Sequence, residues 1–97
     1  MIDVAVGLNG LRVSGHADIA PRGFDIVCAA VSALTLTLIR GLREIALVEI
    51  VDEVGQGNIC IKWQKLNDTG KVLVDMWFLG ICGVANEYRG IRFVNGD

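Results

Sequence analysis

One segment, from about Asp25 to Arg43, limits what this chain can fold into more than any other. Its apolar residues Ile26, Val27, Ala30, Val31, Leu34, Leu38 and Leu42 point nearly all round a helix. Such a helix is expected to be buried on most sides, between a sheet and a partner. Isoleucine and valine are common here, but the length and the end signals predict helix over strand. Asp25 can cap the start by accepting the amide hydrogen of Val27 or Cys28. Arg40 and Arg43 suit the negative end of the helix dipole. At 53% hydrophobic, the chain is richer in apolar residues than an average soluble domain. It therefore has either a generous core or apolar surface kept for a partner, most simply a second copy.

Period-two patterns flank this helix. Ile2, Val4, Val6 and Leu8 share one face, with Asp3, Ala5 and Gly7 opposite. Asn9-Gly10 is a type I′ turn signal, and Leu11 and Val13 return toward the core. Counted from that turn, Leu8 faces Leu11, Val6 faces Val13, and Asp3 faces His16. After the helix, Ile45 to Val54 reads as a strand, Gly55-Gln56-Gly57 as a turn, and Asn58 to Gln64 as the returning strand. Ile59, Ile61 and Trp63 of that strand face the core. A second helix spans about Asp68 to Tyr88, capped by Asp68 or Asn67. Gly80 and Gly83 in it allow another backbone to come close. Ile91 to Val94 is a short final strand or a tail. The 97 residues make one domain. The expected fold class is α+β, a two-layer β-β-α-β-β-α arrangement. It has a four-stranded, mostly antiparallel sheet with two helices on one face.

The chemistry concentrates at the head of the first helix. The single His16 stands twelve residues before Cys28. A thiol in the first turn of a helix meets the positive end of the dipole, which favours thiolate. An imidazole nearby can act as its base. Strand parity puts His16 on the non-core face, so the backbone must turn near Gly15 for the ring to reach Cys28. Asp25, Cys28 and Ser32 fall within an arc of about 60° on one helix face. Ser32 either donates to the thiolate, steadies the imidazole, or bonds a carbonyl one turn back. Asp3 either orients His16 or ends a frayed strand. Residues 17–22, with Pro21 and between Gly15 and Gly23, form either a lid over the site or a plain connection. Cys60 and Cys82, amid apolar neighbours, read as small hydrophobes.

Several classes are excluded. With a net charge of −2 and no basic block, nucleic-acid binding has no support. One histidine and no C-x-x-C pair argue against a zinc site. Three cysteines without framework spacing, and no signal-peptide pattern, suggest an intracellular, cytoplasmic setting. The apolar run from Val72 to Ala85 is interrupted by Asp75 and is too short to span a membrane. A thiol mechanism needs no metal or cofactor, and none is expected.

The string Gly15-His16-Ala17, then Gly23, then Asp25-Ile26-Val27-Cys28-Ala29-Ala30-Val31-Ser32-Ala33-Leu34 resembles the signature of the Prp family, the ribosomal-processing cysteine proteases. The rest of the chain is similar only in its order of elements. The resemblance implies a catalytic dyad of His16 and Cys28, with Asp25 and Ser32 in support. It implies a dimer, and a loop containing Gly15, Ala17, Pro21 and Gly23 that closes over substrate. The substrate so implied is the precursor of a large-subunit ribosomal protein, whose N-terminal extension is removed after an aromatic pair. Two alternatives stand beside this. A phage-type relative would process a virion protein, and a non-catalytic module would hold a peptide for binding or assembly without cutting it. Asp3 has no place in the family pattern.

Overall fold

Both expected hairpins form, and they lie side by side in one sheet. The computed structural model describes residues 1–15 and 25–95. Its elements are β1 (Ile2–Gly7), β2 (Gly10–Gly15), α1 (Ile26–Glu44), β3 (Ile50–Gly55), β4 (Asn58–Trp63), α2 (Asp68–Glu87) and β5 (Ile91–Asn95). Among the described residues the sheet has five strands in the order β3-β4-β2-β1-β5. The expected four strands gain a fifth because the chain end is a strand, pairing in parallel with β1 from Ile2↔Ile91 to Val6↔Asn95. The remaining pairs are antiparallel, so the sheet is mixed.

The first hairpin turns one residue earlier than Asn9-Gly10 predicts. Gly7 pairs with Gly10, leaving Leu8-Asn9 as the loop, and neither loop residue has a positive φ. Gly10 is instead needed inside β2. A Cβ there would lie 2.5 Å from the carbonyl oxygen of Ile61 on β4. Asn9 spends its side chain across the sheet, donating to the carbonyls of Trp63 and Gln64 at 3.2 and 3.0 Å. The shift moves the register, so Asp3 faces Ser14 and Val4 faces Val13. Asp3 accepts hydrogen bonds from Arg92 of β5 at 2.9 and 3.2 Å. This guanidinium holds the Asp3 carboxyl below its usual range. The expected facing of Asp3 and His16 is therefore corrected.

The segment Ile45–Glu49 is not strand. Ile45 and Ala46 donate to the carbonyl of Gly41, and Val48 to that of Leu42. Leu47 takes φ 56, turning the chain out of the helix so that β3 begins at Ile50. Alternation alone suggested strand, because Ala46 and Val48 are buried, but they pack as a helix exit. α2 is capped by Asn67, which accepts the Gly70 amide hydrogen at 2.8 Å.

The core lies between the sheet and the two helices. Ile2, Val4, Leu11, Val13, Ile59, Ile61 and Trp63 meet Val27, Val31, Leu38, Leu42, Val74, Trp77 and Ile81. A polar link sits inside it: the Trp77 indole donates to Thr35 Oγ1 at 3.0 Å, and Thr35 donates to the Val31 carbonyl at 2.7 Å. Gly80 makes room for the Leu34 side chain, 3.0 Å from where a Cβ would stand. Gly83 has open space, so among the described residues no second backbone approaches either glycine. α1 is long and apolar enough to cross a membrane, at mean hydropathy 1.6. Its buried face is the one packed on the sheet and α2.

Candidate active site around Cys28

α1 begins where its cap predicts. Asp25 is extended, and its Oδ1 accepts the amide hydrogens of Val27 and Cys28 at 3.1 and 3.0 Å. The amide of Ala29 donates to the Asp25 carbonyl at 3.2 Å. Three consecutive donors of the first turn are thus engaged by one residue. The Cys28 thiol donates to the other carboxylate oxygen, Oδ2, at 3.0 Å. Ionising the thiol beside that carboxylate would set two negative charges side by side. The site therefore needs a cation near the sulfur to hold a thiolate.

Cys28 opens onto a hollow of about 210 Å³. One wall is α1, with Val31, Ser32 and Leu36. The floor is the core face of the sheet, with Ile2, Val13 and Ile59. The far wall is the tip of the second hairpin, with Val54, Gly55, Gly57 and Asn58. Six apolar side chains and one thiol line it, a composition suited to an apolar group held beside a thiol. A larger hollow of about 720 Å³ lies where α1 runs out against β3 and β4, between Arg43 and Trp63. It is lined by no thiol or hydroxyl, so the smaller hollow is the candidate site.

Ser32 shares the hollow with Cys28 and is exposed. Among the described residues its hydroxyl makes no bond to the preceding turn; Thr35 makes that bond instead. Gly15 ends β2 with φ 102, and its amide donates to the Gly57 carbonyl at 2.8 Å. A side chain at Gly15 would strike the carbonyl of Met1. Gly15 thus sits at the end of β2 in a backbone conformation that favours glycine; the path of the chain beyond it lies outside the described residues. His16, Ala17, Pro21 and Gly23 lie outside the described residues. Cys60 and Cys82 do not line the hollow.

The second hairpin's contribution was not legible in the sequence. Its Gly55-Gln56-Gly57 turn was, but the pairing of β4 with β2 decides which end of the sheet it reaches. That pairing brings Asn58 opposite Ser14, and so the turn comes to Cys28.

Comparison with known proteins agrees with this architecture. A ribosomal processing protease Prp from Staphylococcus aureus, bound to a covalently linked product peptide, superposes with a TM-score of 0.84. It is 22% identical, over 97% of this chain and 96% of that one. The same protease with a substrate peptide gives 0.74 at 20% identity, over 97% and 96% of the two chains. A Streptococcus mutans protein gives 0.70 at 26% identity, over 98% and 95%. No curated protein matched. The family model for cysteine protease Prp matches residues 1–91, and the chain belongs to that family.

Proposed function

We propose that this protein is a cytoplasmic endopeptidase that removes the N-terminal extension of a large-subunit ribosomal protein precursor, with Cys28 as nucleophile and His16 as base. The observation that carries it is the Cys28 thiol in the first turn of α1, at the mouth of an apolar hollow. The solved relatives with product and substrate peptides support a peptide substrate.

His16 takes the proton that Cys28 otherwise shares with Asp25. The imidazolium then offsets the carboxylate's repulsion of the thiolate. The sulfur attacks the carbonyl carbon and the carbonyl oxygen becomes an oxyanion. The amides of Val27, Cys28 and Ala29 are already held by Asp25, so the oxyanion takes a donor from elsewhere. The Ser32 hydroxyl, one turn further along the same wall, is that donor. His16 protonates the leaving amine, and water activated by His16 then releases the acyl group.

Homodimerisation joins this reading. Val72, Met76 and Leu79 of α2 are 63%, 63% and 71% exposed. Leu34, Ile45, Leu73 and Met76 line an apolar hollow between the helices. A second copy would cover this face. Sedimentation of the protein and of Met76→Glu tests it: a dimer that becomes monomeric is expected.

The deciding experiment is mass spectrometry of a ribosomal-protein precursor peptide after incubation with wild type and with Cys28→Ala. Cleavage at one bond by wild type alone is expected; an intact peptide with an unreactive Cys28 would sink the protease reading. Asp25→Asn keeps an oxygen for the cap and removes the charge beside the sulfur. Faster alkylation of Cys28 at neutral pH is the expected outcome. Ser32→Ala should lower kcat by about 10²-fold, with KM little changed.

A further inference from the structure

Among the described residues, the two edges of the sheet lead to different places. β5 forms one edge, and none of its residues lines the Cys28 hollow. β3 forms the other, and its Val54 and Gly55 are part of the hollow's wall.

The pairing tells which main-chain groups of β3 face outward. The amide of Trp63 donates to the Asn9 carbonyl at 3.0 Å, so it points toward the first hairpin and away from β3. Direction alternates along an antiparallel strand. Ile59 and Ile61 therefore also point to β2, while Asn58, Cys60 and Lys62 point to β3. The partners of these three are Gly55, Glu53 and Val51. That leaves Ile50, Asp52 and Val54 with both N–H and C=O aimed at an edge that no other described strand pairs. Their side chains sit on the helix face, opposite Trp63, Ile61 and Ile59. Asp52 uses its carboxylate to accept from Arg43 of α1, which leaves its main chain directed outward.

Native proteins blunt such an edge with proline, charged side chains or a covering element. β3 reads Ile-Val-Asp-Glu-Val-Gly, with no proline or lysine; its two charges are Asp52, engaged by Arg43, and Glu53. Val51 and Val54 are 66% and 54% exposed, and Leu36 across the hollow is 43% exposed. An open ladder thus runs directly into the nucleophile's pocket.

We propose that the peptide substrate docks as a sixth strand on the free edge of β3, pairing with Ile50, Asp52 and Val54, so that its scissile bond enters the hollow past Val54. This rests on the protease reading and specifies how the substrate is held. Main-chain pairing aligns an extended peptide whatever its sequence, and the apolar hollow selects the one side chain that enters it. The free groups recur every second residue, about 7 Å apart, so only alternate peptide amides take part.

The test uses the Cys28→Ala protein, which binds without cutting. It is titrated calorimetrically with a synthetic peptide spanning the precursor's cleavage site, then with peptides N-methylated at one amide each. Affinity should fall about tenfold at every second amide and stay unchanged between. On the protein side, Asp52→Pro removes the outward N–H and Asp52→Ala keeps it. Asp52→Pro should bind about tenfold more weakly than Asp52→Ala. The same proline in the wild-type background should leave the rate of Cys28 alkylation by iodoacetamide unchanged. No binding, no period in the methylation series, or equal affinities for the two variants would overturn the proposal. Where Asp52→Pro fails to fold, the peptide series decides alone. Cleavage by wild type without the period defeats the docking mode only. The period without cleavage defeats the protease reading and leaves the docking.

Discussion

The two hairpins are built from similar sequence signals and serve different ends. Each has a glycine beside its loop and a loop of two residues, Leu8-Asn9 in one and Gln56-Gly57 in the other. In the second, glycine makes the turn, with Gly57 at φ 74. In the first, glycine sits inside the strand so that β4 can come close, and Asn9 ties the loop to β4. The first tip is a clamp far along the sheet from Cys28, whereas the second is a wall of the site. A glycine next to a turn therefore states a need for space or for a positive φ, and only the partner strand says which.

The largest expected effect comes from Gly10→Ala. Its Cβ would meet main-chain oxygen rather than a movable side chain, so a loss of about 3 kcal/mol is expected in urea unfolding. A loss under about 1 kcal/mol would show that β2 and β4 can part more easily than the register suggests. Gly57→Ala should cost about 1–2 kcal/mol from the left-handed backbone. It should also lower peptide cleavage several-fold, because the Gly57 carbonyl holds the end of β2 next to the site. Asn9→Ala should cost about 1 kcal/mol and leave kcat/KM unchanged. If Asn9→Ala lowered activity as Gly57→Ala does, the division between clamp and wall would fail. The smallest effect is expected from Asp3→Asn. The Asp3 carboxyl is held down by Arg92, so the pair adds stability above the unfolded carboxyl's pKa and loses it as the pH falls through the lower folded one. The pair is on the surface, where screening keeps such contributions small. Asp3→Asn should therefore shift the midpoint of unfolding only slightly at neutral pH, and not at all in strong acid.

Local chemistry was the legible part of this chain. The cap of Asp25 on Val27 and Cys28, the extent of α1 and α2, and the core faces of β2 and β4 follow from spacing over a few residues. The legible features share one property: each is decided within a turn or a pair of turns. What was not legible depends on distant partners. Asn9 finds Trp63, Arg92 finds Asp3, and β5 finds β1 only once the sheet is assembled. The exit of α1 was misread for a related reason. Ala46 and Val48 alternate as a strand would, yet the carbonyls of Gly41 and Leu42 claim their amides. At the site, the thiol at the helix start was readable from the sequence. The engagement of its neighbouring amides by Asp25 was readable only in part, because Ala29 uses the main-chain oxygen of the cap.

The two tryptophans give the fold an optical consequence. Trp63 is 6% exposed and donates to the Leu8 carbonyl at 3.0 Å; Trp77 is 3% exposed and donates to Thr35. Each indole is dry and fixed, one beneath the clamp hairpin and the other between the helices. Both should emit at short wavelength in the native state and shift to the red when water reaches them. Single Trp→Phe variants would then let each half of the molecule report its own melting by fluorescence, without any added label.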